Sequence, residues 1–502
     1  MDFESKMITD RDIPFIQLIV YFMFITTTLP YVNSKLHIGH ALEFVQADVI
    51  ARWMRSQWID VFFNVWTDEH GLKILQKATE QGMEVQAFVD HYAWLVKEFF
   101  DHFGISYDSL YRTSDQSHTK VAQTLWNACM KNGDIYQKTY SWLYCVGCEW
   151  FKTPKDLIDG KCPDHGTIPQ PYEEENYFFR LSHYREPLIA HLQSNQCLIP
   201  ETKLTELINF VQSMEDISIS RNKANLPWWI PVPNDENQVM YVWFDALSNY
   251  IGAVWYPDNM DRVHQLRPWI QLFGPDNLRF QGAIRQGMLA SWWLPFTKHL
   301  LCHGMVLWPD GNKMSKTLGN TIDPIEQLES YGLEAVRYYL IAGLPTYADG
   351  SYKVEDLVNL YNSHLADSFG NLVNRVITIS TKKDINLKKA YEDKLISEWT
   401  KKILEEYHHL ISLTYNEFQL NQAANYIHDF VLWANKYIDE IKPWDKNTTW
   451  EQAQICLQDL SSVLYQLCHY YSPIIPTSIN KALSLLDKQE KGILFEKIVP
   501  IS

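Results

Sequence analysis

The stretch Leu29-Pro30-Tyr31-Val32-Asn33-Ser34-Lys35-Leu36-His37-Ile38-Gly39-His40 constrains this chain most. An apolar, β-type run (Tyr21 to Thr28) leads into it, and a helical pattern (Ala41 to Arg55) follows. A strand, a short loop and a helix start carrying two imidazoles predict a nucleotide site. The helix N-terminus offers free N–H groups and a partial positive charge to phosphate. His37 and His40, at i and i+3, face the same way. Gly39 between them has no Cβ, so a flat ring can lie against the backbone. Taken alone, the pattern fits two surface histidines at a helix start better.

A second stretch changes that balance. Gly311-Asn312-Lys313-Met314-Ser315-Lys316-Thr317 stands about 270 residues later and predicts a flexible loop with two lysines, suited to closing over a triphosphate. His-Ile-Gly-His early and Lys-Met-Ser-Lys late resembles the class I aminoacyl-tRNA synthetases. Four further matches resemble the methionyl-tRNA synthetase family: Thr67-Asp68-Glu69-His70-Gly71, Tyr241 to Leu247 with Asn249-Tyr250, Asp276 to Phe280, and Asn371 to Arg375 with Pro443-Trp444. The resemblance runs from about Phe24 to the C-terminus.

Alternation of strands (Phe22 to Thr28, Asp60 to Val65) with helices (Ala41–Arg55, Leu72–Gln81) predicts a doubly wound α/β sheet. Together with the resemblance it gives a Rossmann-like catalytic domain in two halves, 20–112 and 237–320. Between them, 113–236 reads as a connective peptide with a zinc knuckle. A linking, stem-contacting segment follows at 321–353. Residues 354–502 read as an all-α, anticodon-binding bundle: Val354–Ser368, Leu372–Thr381, Asp393–Tyr415, Gln419–Ile441, Trp450–Tyr471 and Thr477–Leu486, with apolar residues recurring at three and four.

In the connective peptide, Cys145 and Cys148 are followed after 13 residues by Cys162 and His165. Two such knuckles suit tetrahedral Zn2+, and a closed Cys3His set leaves no open position, so the metal's role is structural. The other five of the eight cysteines are scattered singly, which fits a reducing cytoplasm rather than a disulfide framework. The apolar run Ile13 to Ile25 is too short to span a membrane, and its acidic lead is the wrong sign for a signal peptide. The net charge of −16 argues against a uniformly basic nucleic-acid binder, so a tRNA partner requires a local face.

The resemblance implies ATP-dependent ligation of methionine to tRNA(Met) through methionyl-adenylate, with Mg2+ entering on ATP and a monomeric enzyme. His37, Gly39, His40, Lys313, Met314, Ser315 and Lys316 would bind ATP, with His37, His40, Lys313 and Lys316 catalytic. Asp68 would pair with the methionine ammonium. Leu29, Tyr31, Trp243, Ala246, Leu247, Tyr250, Phe280 and Gln281 would form the methionine pocket, and Asn371, Arg375 and Trp444 would read the anticodon. A non-catalytic tRNA-binding paralogue is the competing reading, but it has no need of the retained histidines and lysines. A cysteine or leucine enzyme is a third; the short insertion and the zinc knuckles disfavour it.

The chain departs from the family in two ways. The family often has His where Gln281 stands and Trp where Arg285 stands. Tryptophan also replaces family glycines at Trp58, Trp66, Trp142, Trp229, Trp293 and Trp308, and near Trp150 and Trp255. With 19 Trp the chain has only 20 Gly, against about 35 at the usual frequency of roughly 7%. A genome reading UGA as glycine, translated as tryptophan, gives this pattern.

Overall fold

The computed structural model describes residues 22–500 except 34, 148–149, 153–155, 165, 195, 225, 227, 255–257, 266–268 and 315–320. Its central feature is a six-stranded parallel sheet. In chain order the strands are β1 (Phe22–Thr26), β2 (Asp60–Thr67), β3 (Ser109–Arg112), β4 (Leu198–Ile199), β5 (Trp269–Phe273) and β6 (His299–Cys302). Their spatial order is β3-β2-β1-β5-β6-β4. Phe24, Ile25, Phe63, Val65, Ile270 and Leu272 are all buried, as apolar runs must be when helices cover both faces. The sheet changes winding direction between β1 and β5, and the crevice at the carboxyl ends of such strands is where this architecture binds ligands.

Helix α1 (Ile38–Ser56) follows β1, α2 (Val242–Gly252) precedes β5, and α3 (Arg285–Ser291) follows it. The insertion between the halves of the sheet builds an antiparallel sheet of its own. There Ile135–Cys145 pairs along its length with Gln170–Phe179, flanked by Trp150–Lys152 and Ile217–Ser218.

The chain divides into two compact units, Tyr21–Ala47 with Asp60–Gly304, and Asp48–Ile59 with the chain from Met305. The cut falls ahead of the lysine loop rather than at 320. Backbone bonds explain this: Val306–Leu307 pairs with Gly350–Ser351, the Gly350 N–H donates to the Met305 carbonyl, and Leu307 bridges Lys313.

The second unit is helical, with α4 (Asn371–Lys382), α5 (Glu398–Asn416), α6 (Leu420–Ile441), α7 (Trp450–Tyr471) and α8 (Pro476–Lys488). Helix α5 begins five residues later than its periodicity suggests. Buried Asp459 accepts from the Ser397 N–H and hydroxyl, the Thr400 hydroxyl and Tyr437 Oη, and Ser397 then caps the helix through the Thr400 N–H. The predicted helix Val354–Ser368 is α-helical over Val354–Leu360 and continues as a wider π-helix over Tyr361–Gly370. Among the described residues no helix is long and apolar enough to cross a membrane.

Candidate active site

The functional candidates of the first unit cluster at the carboxyl ends of β1, β2 and β5. After β1 the chain runs extended, and Tyr31 bridges Asp68 beyond β2: Val32 N–H donates to the Asp68 carbonyl and Asp68 N–H to the Pro30 carbonyl, both at 3.1 Å. Glu43 on α1 ties this end of the sheet together. Its carboxylate accepts from Thr28 N–H and Oγ1, each at 2.6 Å, and lies 3.0 Å from His303 Nε2, just past β6. Glu69 secures the next loop, accepting from the Arg112 guanidinium at 2.7 and 2.9 Å while its own N–H donates to Thr113 Oγ1.

At the start of α1 the two imidazoles fold onto the backbone. Gly39 N–H donates to His37 Nδ1 and His37 N–H to His40 Nδ1, both at 3.1 Å, with ring centroids 3.9 Å apart. A backbone N–H only donates, so each Nδ1 is an acceptor, and the ring hydrogen of each neutral imidazole sits on Nε2. Two Nε2–H donors at a helix N-terminus suit phosphate oxygens. The ring lying against Gly39 is His37's own: a Cβ at Gly39 would meet His37 Cε1 at 2.9 Å. The glycine is therefore needed to seat the histidine.

The amino-acid pocket candidates converge from α2 and the segment after β5. Trp243 stacks on Phe280 with centroids 3.7 Å apart and planes 10° from parallel. Tyr250 is fully buried, and burial pushes its phenol well above the ordinary range. Gln281 Nε2 donates to its hydroxyl at 2.8 Å, and the edge of Trp66 meets its ring at 4.7 Å. Ala246 and Leu247 are buried one turn before it, and Leu29 packs partly buried against the same core.

Below the pocket lies an arrangement that the sequence reading missed. Asp245 is fully buried on α2, accepting from His70 at 2.5 Å and from His118. Burial alone would raise its carboxyl, but the two imidazoles hold it down at about 2. The triad joins α2 to the loop after β2 and to the helix Gln116–Lys131. A charged aspartate inside the buried segment Val242–Gly252 was the available signal.

In the second unit, Lys313 is exposed at the foot of a tight turn, where Gly311 has φ 88° and its N–H donates to the Trp308 carbonyl. Met314 is half-buried; Ser315 and Lys316 lie outside the described residues. Asn371, Arg375 and Trp444 line one groove of about 420 Å3, together with Asn374, Thr378 and Ile379. Arg375 spans it, lying over the Trp444 ring at 5.4 Å and pairing with Asp439 at 2.5 Å. Trp444 is about half exposed.

In the insertion, Cys145 and Cys162 are buried and both meet Thr167. Cys145 Sγ lies 3.7 Å from Thr167 Oγ1, and Cys162 N–H donates to the Thr167 carbonyl at 2.8 Å. Cys148 and His165 lie outside the described residues, and among those described no group of three metal-ligating side chains gathers.

This geometry has close relatives. Residues 23–167 and 152–377 match the family described as tRNA synthetases class I (M). The methionine–tRNA ligase of Caldanaerobacter subterraneus subsp. tengcongensis is 36% identical over 484 residues, spanning 95% of this chain and 75% of the relative. That of Brucella suis biovar 1 is 36% identical over 474 residues, spanning 92% and 91%. This chain belongs to the methionine–tRNA ligase family. Among solved structures, Mycobacterium tuberculosis methionyl-tRNA synthetase in complex with methionyl-adenylate matches with a TM-score of 0.85 and 31% identity, over 92% of this chain and 93% of that one.

For a methionine–tRNA ligase, the departures at 281 and 285 form one unit. Arg285 is fully buried, its guanidinium 4.6 Å from the Tyr250 ring centre. Nη1 donates to Gln271 Oε1 at 2.5 Å and Thr297 Oγ1 at 2.7 Å, and burial brings its pKa down to about 10. The cation is held at one nitrogen, Nη1, by two polar partners and across its face by the Tyr250 ring.

The tryptophans separate into classes. Trp58 and Trp293 adopt φ 61° and 59°, just past the ends of α1 and α3, and are 79% and 83% exposed. They occupy left-handed helix-terminating positions that favour glycine. Trp66 is different: it sits in β2, fully buried, donating to Thr26 Oγ1 at 2.7 Å, and glycine there would leave a large void. Trp229 is buried, and neither it nor Trp308 has positive φ. Trp142 and Trp150 lie in strands, and Trp255 lies outside the described residues.

Proposed function

We propose that this methionine–tRNA ligase works through the crevice at the ends of β1, β2 and β5, in two steps. The methionine carboxylate attacks the α-phosphate of ATP, pyrophosphate leaves, and methionyl-adenylate stays bound. The 2′-hydroxyl of the terminal adenosine of tRNA(Met) then takes the methionyl group. The nucleophile is already ionised, so catalysis consists of positioning and charge stabilisation. The observation that carries this reading is the pair of Nε2–H donors of His37 and His40 at the amino end of α1, in a chain of this family.

Each part has its task. His37 and His40 donate to ATP phosphates, and Gly39 seats the first of them. Lys313 and Lys316, with Met314 and Ser315 in the same loop, hold the pyrophosphate side; Mg2+ arrives with ATP as part of the substrate. Asp68, fixed by backbone bonds to Pro30 and Val32, pairs with the ammonium. Leu29, Tyr31, Trp243, Ala246, Leu247, Tyr250, Phe280 and Gln281 enclose the side chain. Asn371 and Arg375 offer donors and Trp444 a stacking face to unpaired anticodon bases. Cys145 and Cys162, buried and both in contact with Thr167, would supply two of the four Zn2+ ligands, completed by Cys148 and His165; the metal would hold the knuckle together. The cysteines scattered singly through the chain fit a reducing cytoplasm, and the enzyme would act there as a monomer.

Exchange of pyrophosphate into ATP, measured with each of the twenty amino acids, tests the reading. Exchange with methionine alone is expected. Exchange with another amino acid would overturn the pocket assignment, and none at all would favour the non-catalytic paralogue.

A further inference from the structure

We infer that Arg285 and Gln271 are positioning residues that fix the direction of a buried hydrogen-bond relay and so make the Tyr250 hydroxyl an obligate donor toward the substrate side chain. The inference rests on the assignment of Tyr250 to the amino-acid pocket.

Direction is the point at issue. A side-chain amide has a donor end and an acceptor end of the same shape, so two linked glutamines can run either way. A guanidinium breaks the tie, because it only donates. Arg285 Nη1 lies 2.5 Å from Gln271 Oε1, so the oxygen of Gln271 must face Arg285. Its Nε2 then donates to Gln281 Oε1, and Gln281 Nε2 donates to Tyr250 Oη at 2.8 Å. A hydroxyl that accepts there keeps its own hydrogen for another acceptor. Burial raises the phenol's pKa, so that hydrogen stays in place at neutral pH.

The surroundings hold the relay still. Gln271, Gln281, Arg285 and Tyr250 are all at most 1% exposed, so water does not compete for their bonds. Thr297 Oγ1 accepts a second bond from the same Nη1 at 2.7 Å. Gln286 Nε2 donates to the Gln281 carbonyl at 2.8 Å, and its Oε1 accepts from the Thr297 N–H at 2.9 Å. The guanidinium also lies over the Tyr250 ring, where the attraction between cation and ring face fixes their separation.

The consequence is chemical discrimination. A thioether sulfur is a weak acceptor, and a methylene is not one at all. A pocket whose tyrosine must donate therefore favours methionine over its all-carbon isostere, norleucine, which apolar packing alone separates poorly.

The test is pyrophosphate exchange on the full chain, with methionine and with norleucine, for the wild type, Arg285→Met, Arg285→Lys and Gln281→Glu. Arg285→Met frees both amides to reverse, so the methionine-to-norleucine ratio of kcat/KM falls about tenfold, the worth of one modest hydrogen bond. The fall lies in the methionine value, with norleucine unchanged. Gln281→Glu captures the Tyr250 hydrogen and lowers the ratio alike. Arg285→Lys, still a pure donor, retains most of the preference. Gln281→Glu keeps Arg285 and gives it a nearby anion, so it supplies the answer should Arg285→Met fail to fold. Unchanged ratios with methionine exchange intact would overturn the relay alone. A wild-type chain without methionine exchange would overturn the pocket assignment and the relay with it.

Discussion

Gly39→Ala should separate stability from catalysis. The new Cβ would stand 2.9 Å from His37 Cε1 and 3.0 Å from Nδ1, so the imidazole must retreat by about 0.5 Å to reach ordinary contact near 3.4 Å. That movement strains the Gly39 N–H bond to Nδ1, worth about 0.5–1.5 kcal/mol. Alanine in a helix regains roughly 0.5–1 kcal/mol over glycine. The two nearly cancel, so the denaturation midpoint should barely move. The displaced Nε2–H no longer meets its phosphate oxygen, and a sub-ångström error in a positioned donor costs about tenfold to a hundredfold in rate. Pyrophosphate exchange should therefore show a lower kcat, with KM for methionine unchanged and KM for ATP nearly so. A wild-type kcat would refute the reasoning. So would a rise in KM for ATP at constant kcat, which would mean that the nucleotide ring, and not His37, needs the bare backbone at Gly39.

Further outcomes follow from other residues. Trp58→Gly and Trp293→Gly should each stabilise the chain by about 1 kcal/mol, since each relieves a left-handed conformation without removing buried surface; urea unfolding of the two variants checks this. In peptides of the protein from its source organism, mass spectrometry should find glycine at 58 and 293 if UGA is read as glycine there, and intact tryptophan at both would sink that explanation. Asp245→Asn should cost about 2–3 kcal/mol at pH 7, because the carboxyl is held near 2 against 3.8 when free. A depressed pKa stabilises the fold above the free value and ceases to as pH falls through the folded one, so the gap between variant and wild type should close from pH 4 towards pH 2 in urea titrations. Trp444→Ala should leave pyrophosphate exchange intact and lower tRNA charging by about tenfold, the loss of one stacked base; equal loss in both assays would show damage rather than recognition.

The parts of the site nearest the backbone were the most legible. An apolar run buried on both faces and a helix with two imidazoles at its start announce themselves by spacing, and β1, β2 and α1 stand within a few residues of their expected places. Asp245, His70 and His118 were not legible, because their association depends on three segments meeting across the fold. Arg285 stood out only as a departure from the family's tryptophan; Gln271 and Thr297, which accept its bonds, are 14 residues before it and 12 after it. The Trp-for-Gly pattern read as uniform, whereas Trp58 and Trp293 have glycine-like backbones and Trp66 is a core residue with a bonded indole. Helix α5 began late because Asp459 recruits Ser397 as a cap, a tertiary effect that local periodicity does not register.

The buried guanidinium also bears on how this pocket was reached by descent. An imidazole at 281 has one acceptor nitrogen and one donor nitrogen, so beside Arg285 and Gln271 it would pass the bond to Tyr250 in the same direction. Gln281 alone, beside an indole at 285, would leave its amide free to point either way. The order of descent that keeps the relay directed at every step is therefore arginine first and glutamine second. Grafting glutamine at 281 alone into a relative should accordingly cost more than grafting it together with Arg285 and Gln271.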